Sequence, residues 1–276
     1  MSDYKGFIEL NENEFSDFYS YEKVSTAIYE NEYVIVANEL YCYQNKFFRR
    51  VGYPTIENKW TNKINTKDIY QRAAVDMLED RTSKVKVLRG VYGSGKDYLM
   101  FNKALSLVEN GEFDKIIFIR PNVTLANVPQ IGFLPNGIED KLSWTLAPLY
   151  DKVGGEDGID ALVRKDMLEM VPLLFIRGRS FEKCIIYVTE GQNIDSEIAK
   201  VLLGRVGENS ELWINGDSHQ TDNRIFDKDN GITKMVDRLR GNELFAYIYL
   251  PTTHRSKVAN LANLLDDEDE NEIQIS

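Results

Sequence analysis

The residues best suited to chemistry lie between Leu88 and Met100, where the chain reads LRGVYGSGKDYLM. Gly90 to Lys96 fits the spacing G-x-x-x-x-G-K, directly after an apolar run and directly before an amphipathic one. Gly90, Gly93 and Gly95, with Ser94 between the last two, let the backbone curl so that several N–H groups face one anion. The start of the following helix adds positive partial charge, and Lys96 supplies a full one. The pattern predicts a phosphate-binding loop; the competing reading is a glycine-rich turn whose lysine is simply solvated. The next position usually carries Ser or Thr, whose hydroxyl ligates magnesium. Here it is Asp97. A carboxylate beside phosphates repels them unless a cation stands between. Asp97 therefore binds a metal, marks a loop that has lost its nucleotide, or serves only the first helical turn.

Such a loop needs a second strand that ends in an acid, followed by a group that orients water. The matching segment is Cys184 to Asn193, CIIYVTEGQN, in which Thr189, Glu190 and Gln192 follow an apolar run.

These residues have to be positioned by a sheet. Strand-like apolar runs occur at Lys84–Leu88, Lys115–Ile119, Leu173–Ile176, Cys184–Val188, Glu211–Asn215 and Phe245–Leu250. Helical stretches are predicted over 97–109, 138–153, 157–170, 195–204, 232–240 and 256–265. Near-continuous apolar strands alternating with helices imply an open, mostly parallel α/β sheet covered on both faces. Residues 1–65 differ. They are rich in aromatics, and Glu32–Ala37 and Leu40–Val51 read as a β-hairpin around Asn38-Glu39, with a connector from Gly52 to Asn65. Arg49 and Arg50 among the tyrosines suggest stacking on nucleic acid. The competing reading, that the aromatics form the core of a small β-unit, is favoured because a small unit needs large side chains to bury enough area.

The ordered motifs around the loop resemble those of PhoH-like ATPases, a family with one RecA-like nucleotide-binding domain related to superfamily-one helicases. The motifs are Ile119-Arg-Pro-Asn-Val123, Ile131-Gly-Phe-Leu-Pro-Asn136, Pro148-Leu-Tyr-Asp151, Ile176-Arg-Gly-Arg-Ser-Phe181, Thr189-Glu-Gly-Gln-Asn193, Asn215-Gly-Asp-Ser-His-Gln-Thr-Asp222 and His254-Arg-Ser256. The resemblance implies a RecA-like P-loop NTPase domain over residues 66–265, preceded by a small aromatic-rich, β-containing region over 1–65 and followed by an acidic tail at 266–276. It implies ATP and Mg²⁺ as ligands. Glu190 would polarise the attacking water, and Gln192 and Gln220 would sense the γ-phosphate. Arg255 would meet that phosphate, with Arg177 and Arg179 as alternatives for the role. Gln71 matches the glutamine that reads adenine; the competing reading is a solvent-facing helix residue. The family has Ser or Thr where Asp97 stands and D-E-A-Q where Thr189-Glu190-Gly191-Gln192 stands. The carboxylate and the hydroxyl therefore look exchanged, with Asp97 and Thr189 as the metal pair. The competing reading is two independent losses.

Function follows in two forms. The leading one is an ATP-binding, ATP-hydrolysing, helicase-like protein that acts on RNA or single-stranded DNA. A single RecA-like unit also implies a homo-oligomer, with a hexamer suggested by the resemblance. The alternative is a catalytically silent protein that binds nucleotide or a partner. Net charge is −11, and six acids lie in the last eleven residues, so no global basic field attracts nucleic acid and any contact must be local. No run of about 18 apolar residues is present, and the polar N-terminus lacks a signal-like segment. A cytoplasmic location without membrane contact is the expectation. Cys42 and Cys184 read as buried thiols. Together with His219 and His254 they lack the spacing of a zinc site. No G-x-S-x-G serine-hydrolase elbow occurs.

Overall fold

The computed structural model describes residues 4–121, 149–217 and 229–254. In chain order these form β1 (Phe7–Glu9), α1 (Glu12–Tyr21), β2 (Glu32–Val36), β3 (Glu39–Gln44), β4 (Phe47–Arg50), β5 (Thr55–Ile56), β6 (Ile64–Asn65) and α2 (Ile69–Glu79). There follow β7 (Val85–Gly90), α3 (Lys96–Glu109), β8 (Lys115–Ile119), α4 (Glu156–Arg164), β9 (Leu168–Met170), β10 (Cys184–Val188), α5 (Ser196–Leu203), β11 (Glu211–Asp217), α6 (Gly231–Leu239) and β12 (Phe245–Leu250). The main sheet has six strands in the order β12-β7-β11-β10-β8-β9, parallel throughout.

The apolar strands fill both faces because side chains alternate with period two. On one face Leu88, Phe118, Ile185, Tyr187 and Trp213 pack with residues of α2, α3 and α4. On the other, Val87, Ile117, Ile186, Val188 and Ile214 pack with residues of α5 and α6. Side-chain caps start the helices: Asp68 for α2, Asp195 for α5 and Asn230 for α6. Helix α3 has no such cap. It begins at Gly95, which leaves its first N–H groups for another anion.

The first four strands form a separate sheet, β1-β2-β3-β4. Leu40 to Val51 is not one strand. It folds back at Asn45-Lys46, whose φ values of 53° and 68° make the same tight turn as Ala37-Asn38 at 46° and 68°. This sheet is fixed to the main one. Tyr249 N–H donates to the Lys5 carbonyl and Tyr33 N–H to that of Gly6. Gly6 has φ 77°, and a Cβ there would stand 1.9 Å from the Tyr247 carbonyl oxygen, so only glycine fits. Arg49 forms a two-pronged bond to Asp76 on α2 at 2.8 and 3.0 Å, with Tyr33 as a further donor, so it is engaged inside the fold.

Other expectations are corrected. The helix predicted over 157–170 ends at Arg164, and β9 follows because Leu168 and Met170 pair beside β8. Leu173–Phe175 is a single 3₁₀ turn with Leu174 and Phe175 exposed, not a strand. Pro172, which lacks an N–H for a ladder, precedes it. The connector 52–65 contains the β5–β6 ribbon. The helix predicted over 256–265, and most of that over 138–153, lie outside the described residues. Cys42 and Cys184 are buried free thiols. Among the described residues, no helix is long and apolar enough to cross a membrane.

At the start of the strands, away from the loop, Lys86 is fully buried and donates to Glu211 at 2.6 Å. Arg81 and the Trp213 indole N–H share the same carboxylate, at 3.1 and 2.8 Å. Burial pushes the Lys86 ammonium down to about 8, against the pull of Glu211. Removing one partner of a buried pair leaves a charge without compensation. Glu211→Gln is therefore expected to lower unfolding stability by about 3–5 kcal/mol in urea titrations, whereas Lys86→Met costs less, because the buried Glu211 carboxylate keeps Arg81 and the Trp213 indole N–H as partners.

Candidate functional site

The end of β7 turns into α3 through Gly90–Lys96. Gly90 can only be glycine, since a Cβ would stand 2.5 Å from the Leu250 carbonyl oxygen on β12. Gly93 and Gly95 take φ of 76° and 91°, the left-handed region that curls the loop. The Lys96 ammonium donates to the Gly90 and Val91 carbonyls at 2.8 and 2.9 Å and lies 3.5 Å from the Asp217 carboxylate at the end of β11. Burial pushes its pKa down, opposed by Asp217 and Asp97.

A cavity of about 570 Å³ opens at this end of the sheet. Its walls include Gln71, Gly93, Gly95, Lys96, Asp97, Lys152, Glu190, Gln192, Asn215, Asp217 and His254. Ser94 is buried beneath it. Its carbonyl accepts from Gln71 Nε2 at 3.0 Å, and its Oγ is buried with no hydrogen-bond partner among the described residues. Gln71 Oε1 accepts from the Lys67 N–H at 2.9 Å, so Gln71 is buried as a brace of the loop and is not solvent-facing.

Asp97 and Thr189 are brought together. Asp97 Oδ1 accepts from Thr189 Oγ1, the Tyr187 hydroxyl and Asn215 Nδ2, each at 2.8 Å. Asn215 Nδ2 also lies 2.7 Å from the Tyr187 oxygen. Burial pushes the Asp97 carboxyl upward, but the nearby Lys152 ammonium and the three donors outweigh it and hold it below the ordinary range. Burial in turn pushes Lys152 down, while Asp97 pulls it up.

Glu190 sits at φ 53°, a left-handed position unusual for a residue with a side chain. Its carboxylate accepts from Gln192 Nε2 at 2.7 Å and faces Arg120 at 3.6 Å. Gln192 Oε1 accepts from the Asp217 N–H at 3.0 Å. Gly191 allows this turn to press on β11, since a Cβ would stand 2.5 Å from Ile214. The loop, Gln71, Asp97, Thr189, Glu190, Gln192 and Asp217 thus converge. Gln220 and Arg255 lie outside the described residues. Arg179 pairs with Glu169 at 2.8 Å and stands over Phe181, and neither it nor Arg177 lines the cavity.

Sequence reasoning missed Lys152, Tyr187, Arg120 and the Asp68–His254 pair. His254 Nε2 lies 2.7 Å from Asp68 Oδ2, and the His254 backbone N–H donates to the Gly93 carbonyl at 3.0 Å. The one local signal for Lys152 was its place directly after the Pro148–Asp151 motif. Among the described residues, no group of three or more His, Cys, Asp or Glu could hold a metal by itself. A magnesium ion asks for less: one or two carboxylates, with phosphate and water oxygens completing the shell. Asp97 and Thr189 fit that donor set.

A family model described as PhoH-like protein matches residues 63–263. Protein PhoH2 of Thermobispora bispora is 32% identical over 195 residues, which cover 69% of this chain and 44% of that protein. Protein PhoH2 of Bacillus subtilis is 29% identical over 287 residues, covering 94% and 63%. A PhoH-like protein of Bacillus subtilis is 28% identical over 235 residues, covering 84% and 71%. The chain thus spans less than two thirds of the length of either PhoH2 protein.

A hydrogen bond to a charged group contributes about 1.5–3 kcal/mol. Asp97→Asn and Thr189→Val are therefore expected to couple by more than the ~0.5 kcal/mol of independent sites when unfolding is followed by circular dichroism in a double-mutant cycle. Additive losses would contradict the contact.

Proposed function

Because the chain belongs to the PhoH-like protein family, we propose that it binds ATP in the cavity at the end of β7, hydrolyses it, and acts with RNA or single-stranded DNA. The observation that carries this reading is the Lys96 ammonium, held by two loop carbonyls and Asp217 at the uncapped start of α3, on the wall of a cavity of nucleotide size.

In this reading the loop N–H groups and the α3 terminus receive the β-phosphate, and Lys96 moves from its carbonyls to the γ-phosphate. Glu190 polarises the attacking water while Gln192 holds its carboxylate in place. Gln71 keeps the loop curled, and the remaining hydrogen of its Nε2 is available to adenine. Asp97 and Thr189 would hold Mg²⁺, which when bound offsets phosphate charge. Gln220 and Arg255 keep the phosphate-sensing roles implied by the resemblance. One sheet forms one wall of a motor site, so a homo-oligomer, and a hexamer on the resemblance, would let a neighbour supply the other wall.

A second reading, a nucleotide-binding or partner-binding protein without turnover, is favoured by one observation. Asp97 Oδ1 already accepts three hydrogen bonds, which leaves that oxygen little capacity for a metal.

Two experiments decide. Lys96→Ala should keep its circular dichroism spectrum and lose ATP affinity roughly ten- to a hundredfold by calorimetry, since a charge-assisted contact with phosphate contributes about 1.5–3 kcal/mol; unchanged affinity would refute the site. The double reversion Asp97→Thr with Thr189→Asp should restore magnesium-dependent hydrolysis relative to either single change. An inactive wild type with an active double variant would favour the reading without turnover.

A further inference from the structure

Arg72 follows Gln71 on α2 and borders a second cavity, also of about 570 Å³, whose walls include Glu39, Arg50, Gly52, Tyr53 and Arg72. Arg72 is buried. Its guanidinium donates to the Val51 carbonyl at 3.1 Å and to that of Gly52 at 3.1 and 3.3 Å, and it stands 4.1 Å from the centre of the Tyr53 ring. Tyr53 is therefore propped from one side, yet it is 80% exposed. Apart from its two chain neighbours, nothing lies within 4 Å of where a Cβ on Gly52 would be, so no distant part of the chain covers this stretch. An aromatic ring fixed by a cation on one face and bare on the other is a stacking platform whose ordering cost is already met.

The charges around it suit a phosphodiester. Two guanidiniums and one carboxylate line the cavity, a local positive site on a chain of net charge −11. Arg72 bonds to carbonyls, which leave its charge in place. Arg50 is exposed and pairs with Glu39. Glu39 also accepts from the hydroxyls of Tyr41 and Tyr19, at 2.7 and 3.2 Å. If a phosphate took Arg50, Glu39 would keep two donors.

We propose that Tyr53, propped by Arg72, and Arg50 form a binding site for one base–phosphate unit of single-stranded nucleic acid, with the base stacked on the open face of Tyr53 and the phosphate at Arg50. Bases paired and stacked within a duplex present no free face to such a ring, so the site favours single strands over duplex. The proposal rests on the reading of the chain as a nucleic-acid protein, and it assigns the surface used.

The test is fluorescence anisotropy with labelled 20-mers of oligo-dT, oligo-rU, a duplex and an abasic deoxyribose-phosphate chain, with ATP affinity measured in parallel by calorimetry. Tyr53→Ala should weaken both single strands about tenfold, within the range expected for stacking one base, and Tyr53→Trp should restore binding. The abasic chain should bind wild type and Tyr53→Ala alike. Arg50→Ala should reduce the slope of log affinity against log salt by about 0.7, one phosphate contact on a single strand. A preference between the dT and rU strands tells which sugar the site takes. Single-strand binding that Tyr53→Ala leaves unchanged, duplex bound as tightly as single strands, or no strand bound by protein that binds ATP, would each overturn the platform and leave the nucleotide site standing. Lost ATP binding in wild type would instead count against the nucleotide reading.

Discussion

The arrangement of the site depends on one half-buried carboxylate. Taking an ion out of water costs several kcal/mol unless hydrogen bonds and opposite charge replace the solvent. Asp97 receives three donors on one oxygen, from Tyr187 on β10, Thr189 just beyond it and Asn215 on β11, with the Lys152 ammonium close enough to lower its pKa. Those donors come from two adjacent strands, and the acceptor is the second residue of α3. The interaction therefore fixes the register between helix and sheet at the point where the loop curls. It also explains why Asp97 and Thr189 have to be considered together: the hydroxyl of one is a donor to the carboxylate of the other, so neither can change without disturbing its partner.

A second constraint runs through the first turn of α2. Asp68 caps the helix with one oxygen and takes His254 with the other. Gln71 ties the helix to Ser94 in the phosphate loop, and Arg72 ties it to the backbone of Val51 and Gly52. Successive helical residues point about 100° apart, so neighbouring positions can brace different structures. The aromatic N-terminal sheet and the phosphate loop are consequently held by the same rigid segment. His254 closes the circuit, since its backbone N–H meets the Gly93 carbonyl four residues beyond the end of β12.

What the sequence revealed and what it concealed divide along physical lines. Lys115–Ile119, Cys184–Val188 and Phe245–Leu250 are strands with the predicted bounds, because continuous apolar runs of that length fit a strand covered on both faces. The loop was legible because its residues are consecutive and its glycines have a conformational reason. Short apolar runs misled. Leu168–Met170 continues a helical pattern but pairs with β8, and Leu173–Phe175 looks like a strand but follows a proline and stays exposed. The split of the 40–51 run was hidden because Asn45-Lys46 lacks the glycine that usually marks so tight a turn. Lys152, Tyr187 and the Asp68–His254 pair were illegible for another reason. Their partners are distant in the chain, and only the folded topology brings them together.

The charge balance of the main cavity bears on its ligand. Its walls carry the ammonium groups of Lys67, Lys96 and Lys152 against the carboxylates of Asp97, Asp151, Glu190 and Asp217. Counted formally over the described residues, the walls are slightly negative before any phosphate enters, and a polyphosphate adds several like charges. Backbone N–H groups and the α3 terminus supply only partial charges. Close approach of a triphosphate to Asp97 is then favourable only with a cation between them, because like charges a few ångströms apart in a partly buried site repel by several kcal/mol at an effective dielectric constant of about 20. If the cavity takes a nucleotide as proposed, the carboxylate that looks like an obstacle is the group that would make a divalent ion necessary.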